Sequence, residues 1–329
     1  MEAPGVVAVR DVPEPAADDR AVVGVHRAGI CGTDVKILHG GIPTQLPRVL
    51  GHELVGTVVR AGPSGSPPEG SRVLVDPSRA CGTCRLCLAD RGHLCTKGSL
   101  LGRDVDGGFA EYVAVEERQL HVLPDAVARE EAPVLQVLGT CVHAQTLVDV
   151  FPGQTAVVVG LGVSGLLHAQ LLGARGVTVV GVGRTPAKLE LARTLGIDAA
   201  VTPDEAGACV DDLTQGAGAD LVVESVGSLA ALRQGISLAG VGATVLAYGT
   251  ITERSGEFPY YELYYKELDI RASRAARPRD YARAIALTAR GVVRLAPLVT
   301  SVYSLGDAAA ALEACGGARG ELKIMIDID

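Results

Sequence analysis

Gln154-Thr-Ala-Val-Val-Val-Gly-Leu-Gly-Val-Ser-Gly-Leu-Leu-His-Ala-Gln-Leu-Leu-Gly173 begins with a polar lead-in and continues as a short apolar, β-branched run at 156–159. It then turns through Gly160, Gly162 and Gly165, spaced G-x-G-x-x-G, into an apolar helical pattern at Leu166, Leu167, Ala169, Leu171 and Leu172. The spacing alone is weak. Between a buried-type strand and a helix it is a dinucleotide fingerprint. The first glycine permits the tight turn, the second lets backbone approach a pyrophosphate, and the third lets helix and strand pack closely. The helix start adds free N–H groups and a positive dipole end. Gly160, Leu161, Gly162, Val163, Ser164 and Gly165 are therefore candidate cofactor contacts.

A second strand pattern follows at 177–183 and ends Gly183-Arg184-Thr185-Pro186. A cofactor with a free ribose 2′-OH usually meets an acid near this point. Here no acid occurs between Gly165 and Lys188. A small residue leaves room for a 2′-phosphate, and a guanidinium can pair with it bidentately. Gly183, Arg184 and Lys188 join the candidate contacts, and NADP(H) is favoured over NAD(H). The alternative is a solvated Arg184 and a site that tolerates either cofactor.

With 329 residues the chain is long enough for two domains, and 48% hydrophobic residues against 21% charged can fill a core. The 3% aromatic content argues against nucleic-acid stacking platforms. A net charge of −8 without a basic run argues against nucleic-acid or anionic-membrane partners. No apolar run approaches a membrane span, and the start lacks a signal-peptide pattern, so a cytoplasmic location is expected. Half of the eight cysteines are clustered, which in that compartment favours metal ligation over disulfides.

The first sixty residues read as short strands at 6–9, 21–27 and 55–59. Gly29-Ile-Cys31-Gly-Thr33-Asp34-Val-Lys36 and Gly51-His52-Glu53 lie at strand–turn junctions. A thiolate with an imidazole is a zinc-type pair, and a catalytic zinc needs about three protein ligands plus an open position. The neighbouring acids matter because a zinc-bound histidine usually donates its other ring N–H to a carboxylate. Cys81, Cys84, Cys87 and Cys95 form a C-x2-C-x2-C-x7-C run within fifteen residues. Four thiolates so spaced can close a tetrahedral structural zinc site that staples a loop with little core of its own. His93, inside the loop, is then superfluous.

These motifs, with Gly107-Gly-Phe-Ala-Glu-Tyr112 between the cysteine lobe and the glycine fingerprint, give the chain a resemblance to the zinc-dependent medium-chain dehydrogenases/reductases, the alcohol, polyol and threonine dehydrogenase superfamily. It covers nearly the whole length. It implies an α/β protein: a GroES-like β-rich catalytic domain at 1–138 and 276–329, and a Rossmann doubly wound parallel sheet at 139–275. Hydride transfer at the cleft between them is implied, between a nicotinamide cofactor and an alcohol or carbonyl, in a homodimer or homotetramer. Carried over, Cys31 and His52 are catalytic zinc ligands and Thr33 relays the substrate proton. Asp34 backs His52, and Glu53 sits beside the zinc and can enter its shell. Cys81, Cys84, Cys87 and Cys95 hold the structural zinc.

Two positions depart from the pattern. Gln136 stands where relatives place a Cys, Glu or Asp ligand; its neutral amide oxygen can ligate zinc, or water or Glu53 completes the shell. Cys141 is five residues away and would need a shifted alignment. Lys36 replaces a histidine that finishes the proton relay in many relatives. The alternating elements from 154 to 273 predict a parallel, doubly wound sheet with ligands beyond its strand C-termini, which adds Val226, Tyr248, Gly249 and Thr250 as nicotinamide neighbours. Residues 259–266 carry four of the eight tyrosines and read as an ordinary amphipathic helix, or as an interface or a cap over the cleft. The tail through Leu322, Lys323 and Ile324 is expected to return to the first domain. A polar substrate such as a polyol, sugar or amino alcohol suits the scarcity of aromatics and the neutral third ligand. The competing class is an NADP(H)-binding sensor or structural protein without redox turnover.

Overall fold

The computed structural model describes residues 1–16, 18–316 and 321–328. It divides into two units, one of Met1–Gly139, Arg277–Arg290 and Leu295–Asp329, the other of Thr140–Ala276 and Gly291–Arg294.

The first unit is built on β1 (Ala21–Gly29), whose valines and alanines are buried almost throughout because it has strands on both edges. Next in sequence come β2 (Glu53–Arg60), β3 (Arg72–Val75), β4 (Ser78–Arg79), β5 (Ser99–Leu100), β6 (Tyr112–Val115) and β7 (Leu120–Val122). β1 pairs antiparallel with β2 and β6, β2 with β3, and β3 with β7; β4 and β5 pair apart from this sheet. Helix α1 (Gly32–Leu38) follows β1 at once, α2 (Arg85–Leu88) lies in the cysteine lobe, and α3 (Val134–Gln145) carries the chain into the second unit.

The second unit alternates β8 (Thr155–Val159), α4 (Val163–Gly173), β9 (Thr178–Val182), α5 (Pro186–Thr194), β10 (Ala199–Val201), α6 (Ala206–Thr214), β11 (Ala219–Glu224), α7 (Leu229–Leu238), β12 (Ala239–Ala247), α8 (Tyr260–Tyr265) and β13 (Asp269–Ala272). The sheet is wholly parallel in the order β10-β9-β8-β11-β12-β13. Every residue of β8 is buried, as a central strand covered by helices on both faces requires. The strand order reverses between β8 and β11, the switch point where open α/β sheets bind ligands.

The chain then returns to the first unit as α9 (Pro278–Ala289), β14 (Val299–Ser304), α10 (Ala308–Gly316) and β15 (Lys323–Asp327). α9 buries Tyr281, Ala284, Ile285 and Thr288, an i, i+3, i+4, i+7 stripe. β15 pairs antiparallel with β1 and parallel with β14, so the tail closes the first sheet as expected.

Three local readings are corrected. Residues 6–9 form no strand: Val6 makes one isolated bridge with Ala3, and Val6 and Val9 are about half exposed, because no neighbouring strand receives them. Cys31 leads into a helix rather than an open turn, since Asp34 Oδ2 accepts the Cys31 N–H at 2.9 Å and closes the first turn. The tyrosine segment does not bury its aromatic face: Tyr260, Tyr261, Tyr264 and Tyr265 are 68–81% exposed, and Glu262 and Leu263 occupy the inner side.

Candidate metal and cofactor sites

The ends of β1 and α1 place Cys31, and the start of β2 places His52 and Glu53. One ligand atom from each of Cys31, His52 and Glu53 lies within 4.8 Å of the others. His52 Nδ1 is 3.2 Å from Asp34 Oδ1, which leaves Nε2 as the ring nitrogen that could serve as a ligand. Burial disfavours a charged His52 ring, yet the Asp34 carboxylate and the Cys31 sulfur outweigh it and hold the pKa well above the ordinary histidine value. Glu53 is fully buried, and its Oε2 accepts from Lys323 Nζ at 2.6 Å. Lys323 also donates to the Ile30 carbonyl at 3.0 Å. Burial disfavours the ammonium, but Glu53 and Cys31 more than compensate and raise its pKa. The other carboxylate oxygen, Glu53 Oε1, is buried without a hydrogen-bond partner. A buried, unsatisfied carboxylate oxygen beside a thiol and an imidazole is a donor set that a zinc ion would satisfy.

Gln136 lies in α3 and is buried, with its Nε2 3.5 Å from Tyr281 Oη. Tyr281 packs so tightly on α3 that a Cβ on Gly139 would lie 2.4 Å from its ring. Thr33 is half-buried in the first turn of α1, and Lys36 is half-buried one turn on. Cys141 belongs to the second unit, fully buried, with its sulfur 3.7 Å from the Ser164 carbonyl and 3.6 Å from Tyr248 Oη. Burial raises its thiol to about 12, so it stays protonated.

The sulfurs of Cys81, Cys84, Cys87 and Cys95 also gather within 4.8 Å. Cys84–Cys87, Cys84–Cys95 and Cys81–Cys87 are 3.4, 3.8 and 3.9 Å apart. These distances are far from a bonded pair. They match the edge of a tetrahedron with zinc–sulfur bonds of about 2.3 Å, which is about 3.8 Å. Backbone N–H groups of Thr83 and Cys84 point at the Cys81 sulfur and bring its pKa down to about 6, which favours the thiolate. Neither α2 nor the short turn at Gly92–Leu94 buries a residue, so the lobe has little core of its own.

In the second unit the glycines do separate work. Gly160 has φ +100°, in the left-handed region. A Cβ on Gly165 would sit 1.8 Å from the Gly160 carbonyl, which fixes the close approach of α4 to the turn. A Cβ on Gly162 would meet nothing within 4 Å, so the backbone there faces open space. Leu161 is buried, and Val163 and Ser164 open α4. Gly183 also has a packing reason to be small. A Cβ there would come within 3.0 Å of Leu161, so its smallness serves packing against the fingerprint turn. Arg184 is exposed between β9 and α5, with Lys188 half-buried in the first turns of α5.

Val226 is 51% exposed beyond β11. Tyr248 and Gly249 follow β12, half-buried, with Thr250 exposed behind them. The Tyr248 hydroxyl is 2.7 Å from Thr140 Oγ1, and its ring stacks edge-on with buried His168 at 4.6 Å. Burial drops the His168 pKa to about 3, so that ring is neutral.

Sequence reasoning missed the partner of Glu53 and the clamp on Gln136. Lys323 is 270 positions from Glu53 in the chain. Its signal was a lysine in an apolar terminal strand, Lys323-Ile-Met-Ile.

Among the described residues no helix is long and apolar enough to cross a membrane. Residues 17–125 match the alcohol dehydrogenase GroES-like domain and residues 162–290 the zinc-binding dehydrogenase family. The sorbitol dehydrogenase of Halalkalibacterium halodurans is 32% identical over 310 residues, 92% of this chain and 90% of that protein. The D-arabitol-phosphate dehydrogenase of Enterococcus avium is 29% identical over 325 residues, 96% of this chain and 92% of that protein. A structure from Sinorhizobium meliloti 1021, described as a zinc-binding dehydrogenase bound to NADP, superimposes with a TM-score of 0.92 at 33% identity, over 99% of this chain and 97% of the other. A GroES-like unit, a Rossmann sheet carrying the glycine fingerprint, and full-length similarity at this level together make the chain a member of the zinc-dependent medium-chain dehydrogenases/reductases, an NAD(P)-dependent oxidoreductase.

Proposed function

We propose that the protein interconverts a polar secondary alcohol, a polyol in the first instance, and its carbonyl form, with NADP(H) preferred over NAD(H). The observation that carries this reading is the convergence of Cys31, His52 and Glu53 in the first unit, with a buried, unpartnered Glu53 oxygen. Similarity to sorbitol and D-arabitol-phosphate dehydrogenases supports the polyol class, and similarity to an NADP-bound relative supports the cofactor.

Cys31 and His52 would hold a zinc ion with either the Gln136 amide oxygen or Glu53 as the third protein ligand, which leaves one position open for the substrate oxygen, and Cys81, Cys84, Cys87 and Cys95 would hold a second. When bound, the first ion supplies Lewis-acid polarisation of the substrate oxygen, and the nicotinamide supplies the hydride chemistry. The protein's own residues do the rest. Asp34 fixes the tautomer and tilt of His52. Tyr281 engages the Gln136 amide nitrogen, which leaves the oxygen as the ligating end. Lys323 gives the buried Glu53 side chain a cationic partner at 2.6 Å. Thr33, two residues after Cys31, is positioned to take the substrate proton outward. Gly160, Gly162 and Gly165 bring backbone to the pyrophosphate, and Arg184 pairs with the 2′-phosphate.

The test is absorbance at 340 nm with sorbitol, xylitol and D-arabitol, each with NADP and NAD. Turnover is expected, with a lower KM for NADP, and Arg184→Asp is expected to raise that KM far more than the KM for NAD. No absorbance change with any polyol and either cofactor would remove the polyol reading. An equal response of both cofactors to Arg184→Asp would remove the 2′-phosphate assignment.

A further inference from the structure

We infer that Glu224 is a positioning residue for the nicotinamide end of the cofactor, its side chain fixing the loop that follows β11, against which the loop that follows β12 is packed. The inference rests on the cofactor reading above. Glu224 is the last residue of β11 and is fully buried. Its Oε1 accepts the Val226 N–H at 2.8 Å and the Gly227 N–H at 2.7 Å. Its carbonyl oxygen accepts the N–H groups of Tyr248 and Gly249 at 3.0 and 2.9 Å. The side chain therefore holds the loop after β11, while the main-chain carbonyl, which any residue would offer, ties in the loop after β12.

The loops are pressed together at this point. A Cβ on Gly249 would lie 2.2 Å from the Gly227 nitrogen, and one on Gly227 would lie 3.0 Å from Thr250 backbone. The adjacent Ser225 makes a third tie. Its N–H and hydroxyl both donate to the Val159 carbonyl, and the hydroxyl also reaches the Gly160 carbonyl at 2.9 Å. Residues 224–227 thus join the ends of β8, β11 and β12.

The location gives this lock its meaning. A dinucleotide crosses the switch point between β8 and β11 outside the strand C-termini. If Gly183 and Arg184 at the end of β9 take the adenosine half, and the glycine turn takes the pyrophosphate, the nicotinamide falls on the β11–β12 side. The backbone it meets there is the backbone that Glu224 holds. A carboxylate suits the task because one oxygen can accept two N–H groups. Its second oxygen, Oε2, is buried without a partner and lies 2.7 Å from where a Gly249 Cβ would be. An apolar side chain would avoid that cost, so the carboxyl group is retained for what Oε1 does.

The test uses the full chain and calorimetric titration with NADPH and NADH, alongside the adenosine-half fragments 2′,5′-ADP and 5′-AMP. Glu224→Leu is expected to weaken the reduced dinucleotide by about tenfold or more while the fragment changes by less than about twofold. Glu224→Gln, which keeps one acceptor oxygen, is expected to restore most of the loss. Equal weakening of dinucleotide and fragment, or no weakening of either, would overturn the positioning role. Amide hydrogen exchange on the unaltered chain serves if the leucine variant does not fold. Val226, Gly227, Tyr248 and Gly249 should be protected to the level of β11, and loop-like exchange there would overturn the lock. Failure of the unaltered chain to bind either dinucleotide would remove the cofactor reading itself, a result distinct from all of these.

Discussion

The two cysteine-bearing sites of the first unit are held in opposite ways. The lobe at Cys81–Cys95 has no buried residue in either of its short helices, and Leu88 is 77% exposed on it. Its four sulfurs converge from one local stretch, so the metal itself must supply what a core does elsewhere. The Cys31–His52–Glu53 cluster sits inside the fold. Its chain neighbours Ile30, Leu54 and Ile324 are buried in the hydrophobic cores of the first unit, Asp34 lies against Cys31 and His52, and Lys323 reaches it from the last strand. A site that supplies its own fold needs its metal to exist. A site built by a sheet can exist without one, and can therefore leave a ligand position for substrate.

The largest effect expected from this contrast is in the lobe. Cys84→Ser should remove one zinc per chain by elemental analysis and open residues 81–95 to protease, because structural zinc supplies on the order of 10 kcal/mol to small metal-folded modules. Cys31→Ser should do the reverse. The lobe zinc and the thermal transition should persist while kcat/KM falls by about four orders of magnitude, roughly 5 kcal/mol. If Cys31→Ser unfolds the chain, or if Cys84→Ser leaves the lobe protected, the distinction between the two sites fails.

A smaller effect isolates the scaffold's part of the second site. Lys323→Met keeps the side chain's length but leaves the fully buried Glu53 without its cation. Removing one partner of such a pair costs about 3–5 kcal/mol. Denaturant unfolding should show that loss, and adding Glu53→Gln should recover most of it. A loss that the second substitution does not recover would place the role of Lys323 in packing rather than in charge.

What could be read from the sequence follows the same division. The lobe's ligands and the glycine turn are local, so spacing alone carried them. The Rossmann elements were legible because apolar strands alternate with amphipathic helices, as in Ala219–Glu224 followed by Leu229–Leu238. The Cys31–His52–Glu53 cluster joins residues that no spacing links: residue type and the neighbouring acids suggested a zinc pair, and the family resemblance supplied its catalytic role. Lys323 and Tyr281 escaped notice because each contributes through a partner more than 140 positions away. The strand expected at 6–9 failed for a related reason: Val6-Val7-Ala8-Val9 has the right composition, but strand formation depends on a neighbour that sequence pattern does not specify.

The smallest and most specific test lies where the sheet hands the chain to the lobe. Asp76 follows β3, is 5% exposed, and has its Oδ1 on the Ser78 N–H at 2.8 Å. Its own N–H donates to the Gln119 carbonyl at 2.7 Å, and Gln119 Nε2 returns a bond to the Asp76 carbonyl at 2.8 Å. Burial is the main influence on its carboxyl; the Ser78 bond opposes it, and the net pKa rises from 3.8 to about 7. Below about pH 4 both folded and unfolded chains carry the acid protonated, so its titration contributes nothing. Between about 4 and 7 the unfolded chain has lost the proton and the folded chain has not, so stability falls by roughly 1.4 kcal/mol per pH unit. Above the folded pKa both are ionised and the loss stays constant, on the order of 4 kcal/mol in all. Asp76→Asn removes the titration and keeps the carbonyl acceptor for Ser78. Its stability advantage over the unaltered chain should therefore grow from pH 4 to 7 in denaturant unfolding and level off above that. An advantage independent of pH across this window would mean that Asp76 is already ionised in the fold, and that the passage from sheet to lobe is held by charge as the Glu53 pair is.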